Sequence, residues 1–497
     1  MAAWPGRIKH YLSSSVWLHT YLLLLFFLLY RYSQGFFFIR PAEVAVTMLV
    51  LLVIVFLVNL LFKKIFAGRE ANGAVWVTFF FITSLFFTSV VNFLQQAGFV
   101  GDIQWNRKTI IILVIFWMFL FILLYLLKKP AGKFCSYLNA LFCILILYQA
   151  YVLVTAVWSS KAQQDKIALY KRNNISPAGA VIAGDSLPDI YFIIFDGYTG
   201  NKTLMEIWNF DNSRVTDSLR KKGFFVSDNA VSGYNYTPVC ISSLLNMDQR
   251  PDWFKELGTY WGLSFYLREI KDNALVRALQ NYQYTIVNFS FFELAQQPAF
   301  TSFKPLSTSR NFYRFVLENS VLLRFFTNPV DAAQGKNNLK LYESLQGAIK
   351  KDTARKFVYT HLMMPHPAFF FDSSGKYYAN GKGKYRDEKL NYIEQLKYSN
   401  RLILSIVDSV KHYRPNSIVI IQGDHGSRLL KTPDGKMRED ETYRPFSAIF
   451  FPNRNYGRLS DSLFTPNTFR IVLNEFFKTG LDLLESNPKR HTRPAVH

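Results

Sequence analysis

Four short stretches hold the residues able to do chemistry. They are Asp196-Gly197 at the end of the run DIYFIIF, Thr237-Pro238, the histidine segment His361–Pro367 (HLMMPHP), and Gly423–Gly426 (GDHG) after SIVII. Asp196, Asp424, the His425 imidazole and the Thr237 oxygen make a four-ligand set for a divalent metal, zinc or manganese. Such a metal lowers the pKa of a hydroxyl beside it and neutralises charge on a phosphoryl oxygen, so Thr237 reads as ligand and nucleophile together. His366 suits proton donation to a leaving alkoxide, contact with a substrate phosphate, or a second metal. Arg428 suits a bidentate phosphate contact, and equally a solvated surface position. His361, inside a strand end, reads as a structural histidine.

Each residue also has an ordinary reading. Thr237 fits an N-cap and Pro238 the first helical position, where a missing N–H costs nothing. Asp196-Gly197 fits a turn, and Asp424-His425-Gly426 a loop with a helix cap. Their common placement argues for a site. Asp196, His366, Asp424 and His425 fall at or just past the ends of apolar, β-rich runs. The expected strands are 189–195, 224–226, 284–288, 356–362, 417–421 and 446–451, with helices over 213–222, 272–280, 391–412 and 467–477. Strands alternating with helices, without hairpin signals, predict a central, mostly parallel sheet covered on both faces. Ligands of such sheets bind outside the carboxyl ends of the strands. The Thr237 helix start adds outward N–H groups and a positive dipole end, both suited to an anion. The stretch 298–338, rich in Phe, Arg and Ser, has no clear period and carries no assigned chemistry.

The first third of the chain is of a different kind. Half of the 497 residues are hydrophobic and 47 are Phe. Five apolar runs fall before residue 160, at 11–30, 44–62, 75–93, 109–127 and 134–158. Each approaches or exceeds the roughly 20 residues that cross a bilayer as a helix. Residues 1–158 are therefore expected to form a five-helix transmembrane domain, 159–187 a polar linker and 188–497 a catalytic domain. With the N-terminus in the cytoplasm, inside segments hold eight Lys/Arg and outside loops four, which places the catalytic domain on the extracytoplasmic, periplasmic side of a plasma (inner) membrane. The net charge of +22 suits anionic lipid head groups or a solvated basic surface. Nucleic acid is excluded as a partner by that location and by the lack of a basic-aromatic motif. Cys240 is the single cysteine after residue 158, so the outer domain has no internal disulfide.

On IIFDG (Ile193–Gly197), the Thr237 segment, HLMMPHP and IIQGDHG (Ile420–Gly426), the chain resembles the alkaline phosphatase superfamily in its sulfatase-like branch. Membrane-anchored lipoteichoic acid synthases and lipid A phosphoethanolamine transferases are the look-alikes. The resemblance implies an α/β sulfatase/alkaline-phosphatase-like domain after a multi-span α-helical membrane domain. It implies Asp196, Asp424 and His425 as metal ligands and Thr237 as ligand and nucleophile. Asp196 stands where the named transferases usually carry Glu. The Thr237 segment also resembles the sulfatase signature Cys/Ser-x-Pro-x-Arg, with Thr237 at the modified position; Thr cannot yield formylglycine. Cys240 does not substitute, because Ser242 stands where Pro is required and Leu244 where Arg is required.

The expected function is a membrane-bound, metal-dependent phosphotransferase. It moves a phospholipid head group, of phosphoethanolamine or phosphoglycerol type, to a glycan or glycolipid acceptor through a phospho-threonine. Rival readings are a membrane-anchored phosphodiesterase, phosphatase or sulfatase-like hydrolase, and a non-catalytic sensor or assembly factor that keeps the fold.

Overall fold

The computed structural model describes residues 15–486 apart from 36–38, 40, 97–106, 128–130, 174–186, 250–258, 296, 301–311, 318–319, 322–328, 352–354, 434 and 436. The chain forms two compact units. One comprises Met1–Asn173 with Ser309–Asn328, the other Asn174–Thr308 with Pro329–His497.

The first unit is helical, with helices Leu18–Gly35, Pro41–Ile65, Glu70–Leu85, Phe87–Gln96, Arg107–Leu126 and Gly132–Asn173. The third apolar run is thus two helices, parted at Phe86. Among the described residues, Pro41–Ile65 and Gly132–Trp158 are long and apolar enough to cross a membrane, while the apolar stretch Ile111–Leu126 is shorter. Both long helices present outward apolar side chains, among them Leu49, Leu57, Leu147 and Tyr151. Some polar groups inside the unit are paired: Asn59 donates to Thr20 Oγ1 at 2.8 Å, and Asn72 accepts from Ala131 N–H at 2.9 Å. The last helix continues past Trp158 to Asn173, through residues expected to be linker; 174–186 lie outside the described residues.

Part of the unassigned Phe- and Arg-rich stretch belongs to this unit. The helix Phe312–Leu317 packs there, with Phe312 N–H donating to Glu43 Oε2 at 3.1 Å. Val321 is buried with Phe87 and Val91, and its N–H reaches the Ser84 carbonyl at 2.9 Å.

The second unit is built on a six-stranded sheet. Its strands are β1 Ile190–Phe195, β2 Phe225–Ser227, β3 Thr285–Phe289, β4 Lys356–Leu362, β5 Ile418–Gln422 and β6 Ser447–Phe450, in the order β2-β6-β5-β1-β4-β3. The pairs β1–β4, β1–β5 and β3–β4 are parallel, whereas β6 runs antiparallel to both β5 and β2. The sheet is therefore mixed, a departure from the mostly parallel expectation confined to the pairings of β6. The expected strands recur within about one residue. Every residue of β1, β4 and β5 is buried, as expected of parallel strands covered on both faces. Tyr191, Ile193 and Phe195 share one core with Val358, Leu362, Tyr392, Ile403, Val419 and Ile421.

Candidate metal and phosphoryl-transfer site

Three adjacent parallel strands deliver the acidic and imidazole groups. In register, Ile194 of β1 faces His361 of β4 and Gln422 of β5. The chain leaves β1 at Asp196, whose N–H still bonds the Leu362 carbonyl at 2.9 Å. It then turns at Gly197, where φ is +68°, a conformation open to glycine. Two residues past Gln422 comes Asp424, whose Oδ1 accepts from the Gly197 N–H at 3.1 Å. Gly426 is required by space: a Cβ there would sit 1.9 Å from the Glu441 carbonyl oxygen.

Thr237 opens the helix Thr237–Asn246, and Tyr236, in extended conformation, takes the N-cap position expected for Thr237. No side chain caps this helix. The Thr237 hydroxyl instead lies 3.2 Å from His425 Nε2. His425 Nδ1–H donates to the Gly426 carbonyl at 2.7 Å, which leaves the Nε2 lone pair for the threonine hydroxyl. Burial pushes the His425 pKa down, Asp424 opposes this and Arg428 adds to it, so the imidazole is held neutral near pH 7.

The same nitrogen lies 3.3 Å from Asp424 Oδ2 and 3.8 Å from Asp196 Oδ1. Both oxygens are fully buried, and neither has a hydrogen bond of acceptable geometry among the described residues. Buried carboxylate oxygens are normally paired or bound to metal. Burial is the largest influence on Asp196 and pushes its pKa up, but His366, His361 and His425 together outweigh it and hold the carboxyl below its ordinary range. An ionised Asp196, a neutral imidazole and unpaired oxygens facing one another are a donor set that a divalent cation fits.

His361 joins this set. Its Nε2 is 3.3 Å from Asp196 Oδ2, and ligand atoms of Asp196, His361 and Asp424 all lie within 4.8 Å of one another. Its Nδ1 is 2.8 Å from the Tyr359 hydroxyl, the kind of partner that orients a ligating histidine. His361 is thus more than the structural histidine its place in a strand end suggests. The signal that points to it is a histidine two residues after Tyr359, near the carboxyl end of a fully buried strand next to β1.

His366 and Arg428 form a second layer. Arg428 Nη2 donates to His366 Nε2 at 2.9 Å and Nη1 to the Asn235 carbonyl at 3.2 Å. Both line a small pocket with Gly197, Tyr392, His425 and Ser427. Cys240 is buried in the helix, with Sγ 3.2 Å from the Tyr234 carbonyl. Burial, helped by Asp424, pushes its thiol pKa well above the ordinary value, so it is no ready nucleophile.

Residues 188–455 match the sulfatase family model. The chain belongs to the sulfatase family. The curated proteins gave no match. Among solved structures, this sulfatase-family chain is similar to the integral membrane lipooligosaccharide phosphoethanolamine transferase A of Neisseria meningitidis, at 12% identity and TM-score 0.42, over 91% of this chain and 95% of that one. It is also similar to the C-terminal periplasmic domain of EptC from Escherichia coli in complex with zinc, at 13% identity and TM-score 0.42, over 64% and 91%. A third is the lipoteichoic acid synthase LtaP of Listeria monocytogenes, at 15% identity and TM-score 0.37, over 62% and 78%.

Proposed function

We propose that this sulfatase-family chain is a membrane-bound, metal-dependent phosphotransferase that moves a phospholipid head group to a hydroxyl of a glycan or glycolipid. The observation that carries the reading is the Thr237 hydroxyl, free of any capping role and 3.2 Å from His425 Nε2, beside the unpaired oxygens of Asp196 and Asp424. Asp196, Asp424 and His425, with His361 beside them, would hold the cation. A bound zinc or manganese would make the Thr237 hydroxyl more acidic and offset charge on the phosphate.

In the first half-reaction Thr237 Oγ1 attacks phosphorus of the lipid phosphodiester, and the bond to the diacylglycerol oxygen breaks. The threonine proton passes to water, and the departing alkoxide takes a proton from water to become diacylglycerol. Arg428 holds a phosphoryl oxygen through its fork of donors. The helix N-terminus at Thr237 adds its dipole to the same charge. In the second half-reaction an acceptor hydroxyl takes the phosphoryl group from Thr237, with His366 Nε2 placed to receive its proton. The residue type supports phosphoryl transfer over sulfate-ester hydrolysis, since a threonine cannot become the formylglycine of sulfatases.

The membrane part of the reading is that residues 1–158 span the bilayer five times, with the linker and the catalytic unit that follow outside the cytoplasm. A reporter active only in the cytoplasm, fused to the C-terminal unit, then stays silent; a strong signal rejects the topology. The test of the chemistry is mass spectrometry of the full chain after exposure to mixed phospholipids. A head-group phosphate added at Thr237 is the expected result. Release of free head-group phosphate without an acceptor would favour the hydrolase reading, and absence of any adduct or turnover would reject both.

A further inference from the structure

The segment that carries His366 is wrapped around one buried side chain that no motif contains. Gln395 lies on the long helix Glu388–Tyr413 and is fully buried. Its Oε1 accepts from Phe370 N–H at 2.7 Å and from Phe371 N–H at 3.2 Å. Its Nε2 donates to the His366 carbonyl at 3.1 Å and to the Ala368 carbonyl at 3.3 Å. Two donors and two acceptors of one loop thus use the full capacity of one amide, and this pattern fixes which end is oxygen. Three residues earlier on the same helix face, the Tyr392 hydroxyl accepts from Thr199 N–H at 3.1 Å and lies 2.9 Å from the Gly197 carbonyl. The helix therefore holds the loop after Asp196 and the loop of His366 with neighbouring side chains.

We infer that Gln395 is a positioning residue that sets the place of the His366 imidazole relative to Arg428 and Thr237. The inference rests on the proposed role of His366 in phosphoryl transfer. The backbone of His366 is tied on one side to Asp196, whose carbonyl accepts its N–H at 3.0 Å, and on the other to Gln395. Removing the second tie leaves His366 held by its N–H to Asp196, by the contact of Nδ1 with the neighbouring Pro367 carbonyl and by Arg428. Small misplacements of a reacting group cost much of its effect, on the order of a hundredfold per ångström.

The experiment is a double-mutant cycle on the full chain in detergent with phosphatidylethanolamine and phosphatidylglycerol. Gln395→Met keeps the volume and removes all four bonds; Gln395→Glu keeps the acceptor and removes both donors. Each is made alone and with His366→Ala. Transfer of the head-group phosphate from the Thr237 adduct to glycerol, as acceptor hydroxyl, is read under single-turnover conditions, where slow rates remain measurable, and metal content is read on the same samples. The expected result is a loss of roughly 10–100-fold for Gln395→Met with metal content kept. In the His366→Ala background that loss should shrink to about twofold or less, because the two residues act as one unit. Gln395→Glu completes the same cycle should the Met protein not fold. Equal losses in both backgrounds, or loss of metal together with activity, overturn the inference. The Thr237 adduct in the parent protein separates the two failures. Its absence rejects the proposed function, whereas its presence with additive losses rejects the role of Gln395 alone.

Discussion

Arg428 Nη2 donates to His366 Nε2 across 2.9 Å, while His366 Nδ1–H faces the Pro367 carbonyl. The His366 Nε2 lone pair is thereby turned to the guanidinium. On the proposed function, an incoming phosphate would compete for Arg428 and release that lone pair, tying substrate binding to exposure of a base. Arg428→Lys keeps the charge and loses the planar fork. It should raise KM for the lipid by roughly ten- to a hundredfold, the equivalent of about 1.5–3 kcal/mol of charge-assisted bonding. Steady-state kinetics with labelled phospholipid check this; an unchanged KM would return Arg428 to a surface role.

Thr237→Ala should reduce diacylglycerol release to background. Because Tyr236 takes the N-cap position, the substitution costs stability only through the bond to His425, about 0.5–1.5 kcal/mol. Thr237→Ser keeps a hydroxyl and should retain part of the activity. Cys240→Ala should stay active, since the thiol is buried and held protonated. An active Thr237→Ala protein, or an inactive but folded Cys240→Ala protein, would place the nucleophile elsewhere.

Metal analysis separates the ligand candidates. Asp424→Ala removes a carboxylate that is fully buried and lies 3.3 Å from His425, so bound metal should fall toward zero. His361→Ala should weaken binding about 10–100-fold if His361 only orients Asp196, and abolish it if His361 is itself a ligand. Titration of the metal-stripped protein with zinc reads both. Asp424→Ala protein that folds and keeps a full complement of metal would falsify the assignment.

The sequence made legible what depends on local pattern. Apolar runs ending in Asp196 and Gly423-Asp424 marked β1 and β5, and strand-end placement brought Asp196, Asp424 and His425 together as expected. What escaped depends on tertiary partners. Thr237 read both as nucleophile and as N-cap, because Thr-Pro usually caps a helix, whereas Tyr236 takes the cap position and the Thr237 hydroxyl approaches His425. His361 looked structural because the register against β1 that turns it toward Asp196 is not written locally. Gln395 had no signal at all, since its partners lie about 25 residues earlier in a loop. The Phe- and Arg-rich stretch had no period because Phe312 and Val321 bury themselves against helices far back in the chain.

A last prediction concerns Glu441, beside the GDHG loop. It is fully buried, accepting from Trp208 Nε1 at 3.0 Å and from Leu430 N–H at 3.1 Å. Burial pushes its pKa up to about 7, with the bonds from Ser427, Leu430 and Trp208 acting against the rise. The ordinary value for an unfolded glutamate is near 4.3. Between these values the folded protein keeps a proton that the unfolded chain gives up. Stability therefore falls as pH rises from about 4.5 to 7, and above about 7 the penalty is fully present, on the order of 3 kcal/mol. Glu441→Gln is neutral at every pH, with the loss of one acceptor, for Trp208 or Leu430, that applies equally at each pH. Relative to the parent it should gain stability between pH about 5 and pH about 8, flattening this part of the profile. Thermal unfolding of both proteins across that range is the measurement. Parallel profiles for the parent and Glu441→Gln would show that Glu441 titrates at its ordinary value and that its buried contacts leave its charge unpenalised.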